Sequence, residues 1–294
     1  MVYPVIIVGG SYAGISAGLQ LARARRRVLV IDAGQRRNRF AHSAHGFLGQ
    51  DGRNPGVIAD EARAQLLAYP TVEWVSQPAI TATRQGDGFV VTTANGQRFG
   101  GQRLILASGV VDELPEIPGL EERWGQSVFH CPYCHGYELD GGPIGVLAAA
   151  PTALHHALML PDWGPTTLFI NDAFEPDAEQ LANLERRGVT LEREPVMAIG
   201  GQADVTLASG RVIKLAGLFT QPRTRMASPL PAILGCEFEA GPMGDFIKVD
   251  AMRETSVRGV FACGDAALAA GNVAIAVGDG ARTGGAAHHS LIFR

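Results

Sequence analysis

Val5-Ile6-Ile7-Val8 is an unbroken apolar run, the mark of a short strand buried on both faces. The turn Gly9-Gly10-Ser11-Tyr12-Ala13-Gly14 follows, then apolar positions at helical spacing over Ile15 to Ala24. A second apolar run, Val28 to Ile31, ends at Asp32. Asn54-Pro55 reads as an N-cap and first helical residue, opening a helix to about Ala68 that Pro70 stops. Val72 to Val75 is a short strand. Residues 79–83, 89–93 and 97–98 alternate between apolar and polar with glycine turns between them, an antiparallel excursion. Arg103 to Ala107 returns as a strand into Ala107-Ser108-Gly109.

Glu113 to Gly119 is a proline-rich crossing and a domain boundary. Beyond it the alternation starts again. Ile144 to Ala149 and Thr167 to Ile170 read as strands, with helices over 152–160 and 177–187. Val189 to Leu191, Val205 to Leu207 and Val212 to Leu218 are further strands. Phe219 to Pro242, with four prolines, reads as loop. Phe246 to Val249 and Val260 to Ala262 are strands, the second running into Cys263-Gly264-Asp265. Ala266 to Ala287 is rich in small residues, with Asn272 before a helix. The pattern predicts an α/β fold of two nucleotide-binding, Rossmann-like three-layer domains, the second inserted into the first. Residues 1–114 with 245–294 form one, and 115–244 the other.

The first turn has the strand, glycine turn, helix, strand, acid order of a dinucleotide site. Gly9 permits the tight turn, Gly14 close helix packing, and the helix N-terminus faces a pyrophosphate. Asp32, 23 residues after Gly9, suits a ribose diol. Ser11 stands where the second glycine usually falls. The alternative is a βαβ unit without a ligand. The matching position of the second domain reads Ala148-Ala149-Ala150-Pro151-Thr152-Ala153, where Cβ atoms crowd a pyrophosphate. Asn171-Asp172 follows the next strand, and no arginine comes before Arg186 to meet a 2′-phosphate. The second domain is therefore expected to be architectural, without a nicotinamide cofactor.

Cys131-Pro132-Tyr133-Cys134 continues as His135-Gly136-Tyr137-Glu138. Its spacing lets one thiol attack a substrate sulfur while the other resolves the mixed disulfide. A zinc site needs a second pair, and Cys236 and Cys263 stand apart, so no metal is expected. Cys236 reads as an inert apolar filler. His42 and His45, in a glycine-rich loop after Arg36, Arg37 and Arg39, lack a third metal ligand. Those arginines lie either near cofactor phosphates or on a solvated face.

Composition narrows this further. The 294 residues are 46% hydrophobic, enough for two domains. With 25 basic and 29 acidic residues the net charge is −4, so nucleic acid is not an expected partner. The basic cluster at Arg23 and Arg25 to Arg27 suits a helix C-terminus. Four cysteines do not make a disulfide scaffold. The N-terminus lacks a signal peptide's basic segment and length, and Val5 to Val8 is too short to span a bilayer. A soluble cytoplasmic protein without a membrane partner is expected.

Taken together, these motifs resemble the low-molecular-weight thioredoxin reductase family of flavoproteins, over nearly the whole chain. The resemblance implies FAD held by Gly9, Gly10, Ser11, Ala13 and Gly14, with Asp32 on the adenosine ribose. Ala107-Ser108-Gly109 matches the family's Ala-Thr-Gly turn, which assigns Ala107 and Gly109 to the same site. Cys263-Gly264-Asp265 matches its Ala-Gly-Asp turn, placing Gly264 and Asp265 by the ribityl chain or the nearby phosphate. Gly271-Asn272-Val273 stands where the family carries Arg-Gln-Ala beside the flavin, which assigns Asn272 and Val273. By the same resemblance Cys134 faces the flavin as the charge-transfer thiolate and Cys131 exchanges with substrate. His135 replaces the family's acid and either shuttles a proton or makes a structural hydrogen bond. His45 is the other candidate base. A homodimer is implied, in which His288 and His289 either approach a partner's redox centre or lie on the surface.

The family's NADPH-site glycines match Ala148, Ala150 and Ala153, and its His-Arg-Arg run matches Ile170-Asn171-Asp172. These departures make the chain more similar to the oxygen-dependent dithiol oxidases that close disulfides in natural products such as gliotoxin and holomycin. The expected activity is oxidation of a small-molecule dithiol through the cysteine pair and FAD, with O2 as acceptor and H2O2 as product. The rivals are a disulfide reductase fed by NADPH, one fed by ferredoxin or another redox protein partner, and a non-enzymatic flavin redox sensor. Trp124, Tyr133 and Tyr137 either line an entrance or pack inside.

Overall fold

The computed structural model describes residues 2–293. The chain forms two compact units, one of Met1–Arg39, Arg53–Val111 and Thr224–Arg294, the other of Phe40–Gly52 and Asp112–Arg223.

The first unit opens with β1 (Val2–Val8), α1 (Tyr12–Arg23), β2 (Val28–Ile31), α2 (Pro55–Leu67) and β3 (Val72–Val75). β4 (Ala79–Gln85), β5 (Gly88–Thr93) and β6 (Arg98–Leu106) follow. The sheet runs β3-β2-β1-β6-β5-β4, parallel from β3 to β6 and antiparallel beyond. Val5 to Val8 is buried, as a central parallel strand requires. α2 starts as expected, with the Asn54 side chain accepting from the Gly56 and Val57 amides and Pro55 in the first turn. β6 is one strand, although Gly100 and Gly101 break its apolar pattern. Hydrogen-bonded neighbours on both sides hold it, with Gly100 opposite Val2 on one edge and Val90 on the other.

The second unit takes β7 (Val110–Glu113) from Asp112 onward, then β8 (Val128–Phe129), α3 (Pro132–His135), β9 (Ile144–Leu147), α4 (Ala153–Met159), β10 (Thr166–Phe169) and α5 (Ala178–Arg186). β11 (Thr190–Glu192), β12 (Val196–Gly200), β13 (Asp204–Leu207), β14 (Val212–Ile213) and β15 (Gly217–Thr220) complete it. A parallel sheet, β11-β10-β9-β15-β8, is joined by an antiparallel one, β12-β13-β14. The run expected as one strand over 212–218 is two, because the chain leaves one sheet at Ile213 and enters the other at Gly217.

The return includes β16 (Arg223–Met226), α6 (Leu230–Ile233), β17 (Phe238–Glu239), β18 (Phe246–Ile247), β19 (Val260–Ala262) and α7 (Val273–Phe293). The stretch expected as loop thus contains real elements, and the first unit resumes at Thr224 rather than at residue 245. Leu230 and Cys236 explain the difference, because both are buried in the core that holds Ile6 and Leu104. β19 pairs with β6 and completes the first sheet. α7 lies so close on α1 that a Cβ on Gly280 or Gly284 would overlap the carbonyl oxygen of Ala13 or Ala17. Among the described residues no helix is long and apolar enough to cross a membrane.

Candidate active site

Register brings the first unit's motifs to one edge. Val8 lies opposite both Ile31 and Leu106, and Leu106 opposite Ala262. Gly9, Asp32, Ala107 and Cys263 therefore all follow the carboxyl ends of adjacent parallel strands, where α/β sheets bind ligands. Gly9 has φ +105°, and a Cβ there would overlap the Ala107 carbonyl oxygen. A Cβ on Gly14 would overlap the Gly9 carbonyl oxygen, and one on Gly10 the Trp74 ring. The Gly10 amide donates to Asp32 Oδ1 at 2.9 Å, which fixes the carboxylate beside the turn. Ser11 is the N-cap of the 12-residue α1 but makes no side-chain cap. The helix thus starts without an internal acceptor for its first amides.

Around this edge the buried atoms Ser108 Oγ, Arg36 Nε, Asn38 Oδ1 and Trp74 Nε1 have no hydrogen-bond partner. Gly109 and Gly264 both have positive φ, and the Gly264 amide donates to Asp279 Oδ2 at 2.9 Å. Ala13 sits against Gly264, where a Cβ would lie 2.9 Å from its own. Asp265 accepts from Arg37 Nη1 at 3.0 Å. Both line a recess with Thr224, Asp245 and Gly271. Asn272 caps α7, its Oδ1 accepting from the Ile275 amide at 2.9 Å, and Val273 is the first helical residue. Glycine cradle, uncapped helix, fixed acid and orphaned polar atoms together fit a bound dinucleotide such as FAD.

In the second unit Cys131 and Cys134 form a disulfide, with Cα atoms 5.3 Å apart. Cys131 is the N-cap of α3 and Pro132 its first residue, so the short helix starts between the cysteines. Gly136 admits no side chain, because a Cβ would strike the Pro132 carbonyl and the Trp163 ring. His135 stacks on Phe129, with centroids 4.3 Å apart and planes at 16°. Burial, with a smaller contribution from His45, pushes its pKa down to about 4. It is therefore neutral at pH 7.

His45 belongs to this unit because the 40–52 loop packs here. Its Nε2 is 3.0 Å from Ser43 Oγ and 3.4 Å from Glu138 Oε1, and its Nδ1 3.6 Å from Asp51 Oδ1. Sequence reading gave Glu138 no role, although it lies in the same eight-residue run as the cysteines. The pairing with a loop some 90 residues upstream leaves no trace in spacing. Trp124 is buried in the core with Leu120 and Val128, so it packs and lines no entrance. Tyr133 and Tyr137 are exposed. The His289 ring packs at a tilt against Phe293, centroids 4.5 Å apart, and burial and Arg26 lower the pKa of His288. Cys236 and Cys263 are buried free thiols, the second pushed up to about 12 by burial and by Asp279.

The second unit's own turn is different. Ala148 and Ala153 are buried, and α4 is only seven residues long. Asn171 and Asp172 are both left-handed, at φ 48° and 56°, and Asn171 Oδ1 accepts from the Val196 amide at 2.9 Å. His156 on α4 is buried, and burial, with a smaller contribution from His155, pushes its pKa down to about 4. No group of three metal-ligating side chains occurs among the described residues.

Residues 3–283 match the family model described as pyridine nucleotide-disulphide oxidoreductase. The chain belongs to the pyridine nucleotide-disulphide oxidoreductases. It is 32% identical to thioredoxin reductase tcpT of Claviceps purpurea, over 98% of this chain and 94% of that protein. Among solved structures it is similar to an oxidoreductase from Agrobacterium tumefaciens, 59% identical, with TM-score 0.97 over 100% of this chain and 99% of that one. It is also similar to HlmI, 33% identical, with TM-score 0.90 over 99% and 92%. As a pyridine nucleotide-disulphide oxidoreductase of thioredoxin-reductase-like fold, the chain is a member of an FAD-binding enzyme family with a redox-active disulfide at Cys131–Cys134. The second unit's turn carries Ala148, Ala149, Ala150 and Ala153, and its Asn171 side chain is bonded to the Val196 amide.

Proposed function

We propose that this protein is an FAD-dependent dithiol oxidase, of the branch that closes disulfides in small molecules such as gliotoxin and holomycin. Molecular oxygen is the acceptor and hydrogen peroxide the second product. The observation that carries this reading is the pairing of an intact disulfide motif with a nicotinamide turn built from Ala148, Ala149, Ala150 and Pro151. In this reading electrons enter from a thiol substrate.

In the proposed cycle a substrate thiolate attacks Cys131 Sγ. The Cys131–Cys134 bond breaks, a mixed disulfide forms, and Cys134 leaves as thiolate. The second substrate thiolate attacks the substrate sulfur of that mixed disulfide, closes the product disulfide and releases the Cys131 thiolate. Two electrons now reside in the cysteine pair. His45, set between Ser43 and Glu138, accepts a substrate thiol proton, and His135 stays neutral and packs against Phe129. FAD, when bound, supplies the two-electron chemistry between the cysteine pair and oxygen. Gly9 to Gly14, Asp32, Ala107, Gly109, Gly264, Asp265, Asn272 and Val273 would hold it. The sum is one dithiol and one O2 giving one disulfide and one H2O2.

Aerobic incubation with a small dithiol tests this, with peroxide and product disulfide expected in equal amounts. Disulfide exchange without oxygen consumption would overturn it. Relatives such as thioredoxin reductase tcpT favour a second reading, a thioredoxin-reductase-like disulfide reductase. It requires an NADPH or ferredoxin-type donor, and NADPH-driven reduction of the disulfide would establish it.

A further inference from the structure

Arg253 is an outlier in the first unit. Its φ is +62°, and of the five non-glycine residues with positive φ among the described residues it alone is buried, at 8% exposure. Its Nε is also buried and has no hydrogen-bond partner. Glycine would take the same backbone without either cost. Strain of this kind collects at ligand clamps, so the contacts of the side chain decide what it is for.

Those contacts enclose one turn. Arg253 Nη2 donates to Asp279 Oδ2 at 2.7 Å, with both side chains only 9% exposed. The same Asp279 oxygen accepts from the Gly264 amide at 2.9 Å. Arg253 Nη2 also reaches the Ala267 carbonyl oxygen at 3.4 Å. Gly264 and Ala267 are the two ends of the turn around Asp265, closed by the Ala267 amide on the Gly264 carbonyl at 2.9 Å. The Arg253 carbonyl accepts from the Ala262 amide at 3.1 Å, at the end of β19. Burial raises the pKa of the Cys263 thiol most, Asp279 raises it further and Arg253 lowers it, so both charges act on the residue that precedes the turn. Asp279 sits on α7 one residue before Gly280, the glycine that lets α7 meet the Ala13 carbonyl, and Ala13 also lies against Gly264. One ion pair thus ties the Asp265 turn to the helix that packs on the first turn of α1.

We infer that Arg253 and Asp279 are positioning residues for FAD, a charge-balanced bracket that fixes the Gly264–Asp265 turn for the cofactor and leaves no net charge beside it. The bracket acts through the turn and serves the cofactor whichever way electrons run. A backbone amide fixed by a buried acceptor is a preformed edge, which lowers the ordering cost of binding. A carboxylate buried without its cation would oppose the negative charge that reduction adds to a flavin, and a guanidinium without its anion would favour it.

Two readouts test this, and neither needs a dithiol, oxygen or NADPH. Equilibrium dialysis gives FAD affinity, and equilibration of the flavin-loaded protein with a reference dye at mildly alkaline pH gives the flavin potential. Arg253→Gly should weaken FAD binding by about tenfold or more and shift the reduction equilibrium about threefold or more toward the oxidised flavin. Asp279→Asn keeps an acceptor for the Gly264 amide, so its affinity should fall less, and its equilibrium should move about threefold or more the other way. The double variant removes both charges and should return the equilibrium to within about twofold of the parent. Unchanged FAD affinity in Arg253→Gly would overturn the inference. So would potentials that stay put or that move with one sign in both single variants, the mark of a fold brace that sets no charge at the cofactor. Should Arg253→Gly fail to fold, Asp279→Asn decides alone: its flavin must be easier to reduce, and an unchanged or lowered potential overturns the inference. Failure in these readouts leaves the dithiol oxidase reading standing, because that reading turns on thiols and oxygen.

Discussion

The two units carry the same parallel core, β3-β2-β1-β6 in one and β11-β10-β9-β15 in the other, yet their first turns are built differently. After β1 come Gly9, Gly10 and Gly14, none with room for a Cβ, then a 12-residue helix without a side-chain cap. After β9 come alanines and Pro151, then a helix of seven residues. After β2 stands Asp32, bonded to the Gly10 amide. After β10 stand Asn171 and Asp172 in a left-handed turn, with the Asn171 side chain bonded to the Val196 amide. The same topology thus carries two different turns. A nucleotide site takes a turn free of Cβ atoms, unclaimed helix amides and an acid held beside them. The first unit has all three, and the second has alanines and a bonded Asn171 at the matching positions.

The largest effect should come from the cysteines. Cys131→Ser or Cys134→Ser should lower dithiol turnover by about a thousandfold or more, because exchange needs both sulfurs. Loss of less than tenfold in a steady-state assay would mean that the second unit's chemistry lies elsewhere. Next comes the intact turn. Gly14→Val should weaken FAD retention by about a hundredfold or more, since a side chain there collides with the Gly9 carbonyl. Equilibrium dialysis of flavin measures it. The altered turn gives the converse. Restoring glycine at Ala148, Ala150 and Ala153 together should yield less than about a tenfold gain in NADPH oxidation, because Asn171-Asp172 still offers no cation to a 2′-phosphate. Steady-state absorbance reports this.

Smaller still is a pH effect on stability. Buried His156 and His135 titrate near 4 in the folded chain, below the ordinary 6.5. The unfolded chain therefore binds more protons between those values, and stability rises with pH across that window. It is complete above about 6.5 and lost as pH falls toward 4. Thermal midpoints should decline by about a few degrees over the interval, and His156→Phe should flatten part of the decline. The least change is expected at the buried thiols. After reduction, the native protein should alkylate at Cys131 and Cys134, while Cys236 and Cys263, both raised by burial, stay unmodified on the same timescale.

Much of this was legible in the residues. The cofactor edge is visible because each of its parts is a local pattern: an apolar run followed by Gly9, by Asp32, by Ala107 or by Cys263. Parallel pairing then aligns their ends. The cysteine motif is equally local. What stayed hidden depends on distant partners. β6 crosses two glycines because strands on both sides hold it. The 40–52 loop joins the second unit through Ser43, His45 and Glu138, and no spacing encodes a contact between residues 45 and 138. The stacking of His135 on Phe129 is likewise a property of the folded chain that no local spacing encodes.

The most direct test is anaerobic mixing of the flavin-loaded protein with NADPH in one syringe load and a small dithiol in the next, following flavin absorbance. The expected result is bleaching by the dithiol, lost in Cys134→Ser, and none by NADPH within the same time. Rapid bleaching by NADPH, with the dithiol inert, would contradict the claim that electrons enter through Cys131 and Cys134 from a thiol substrate.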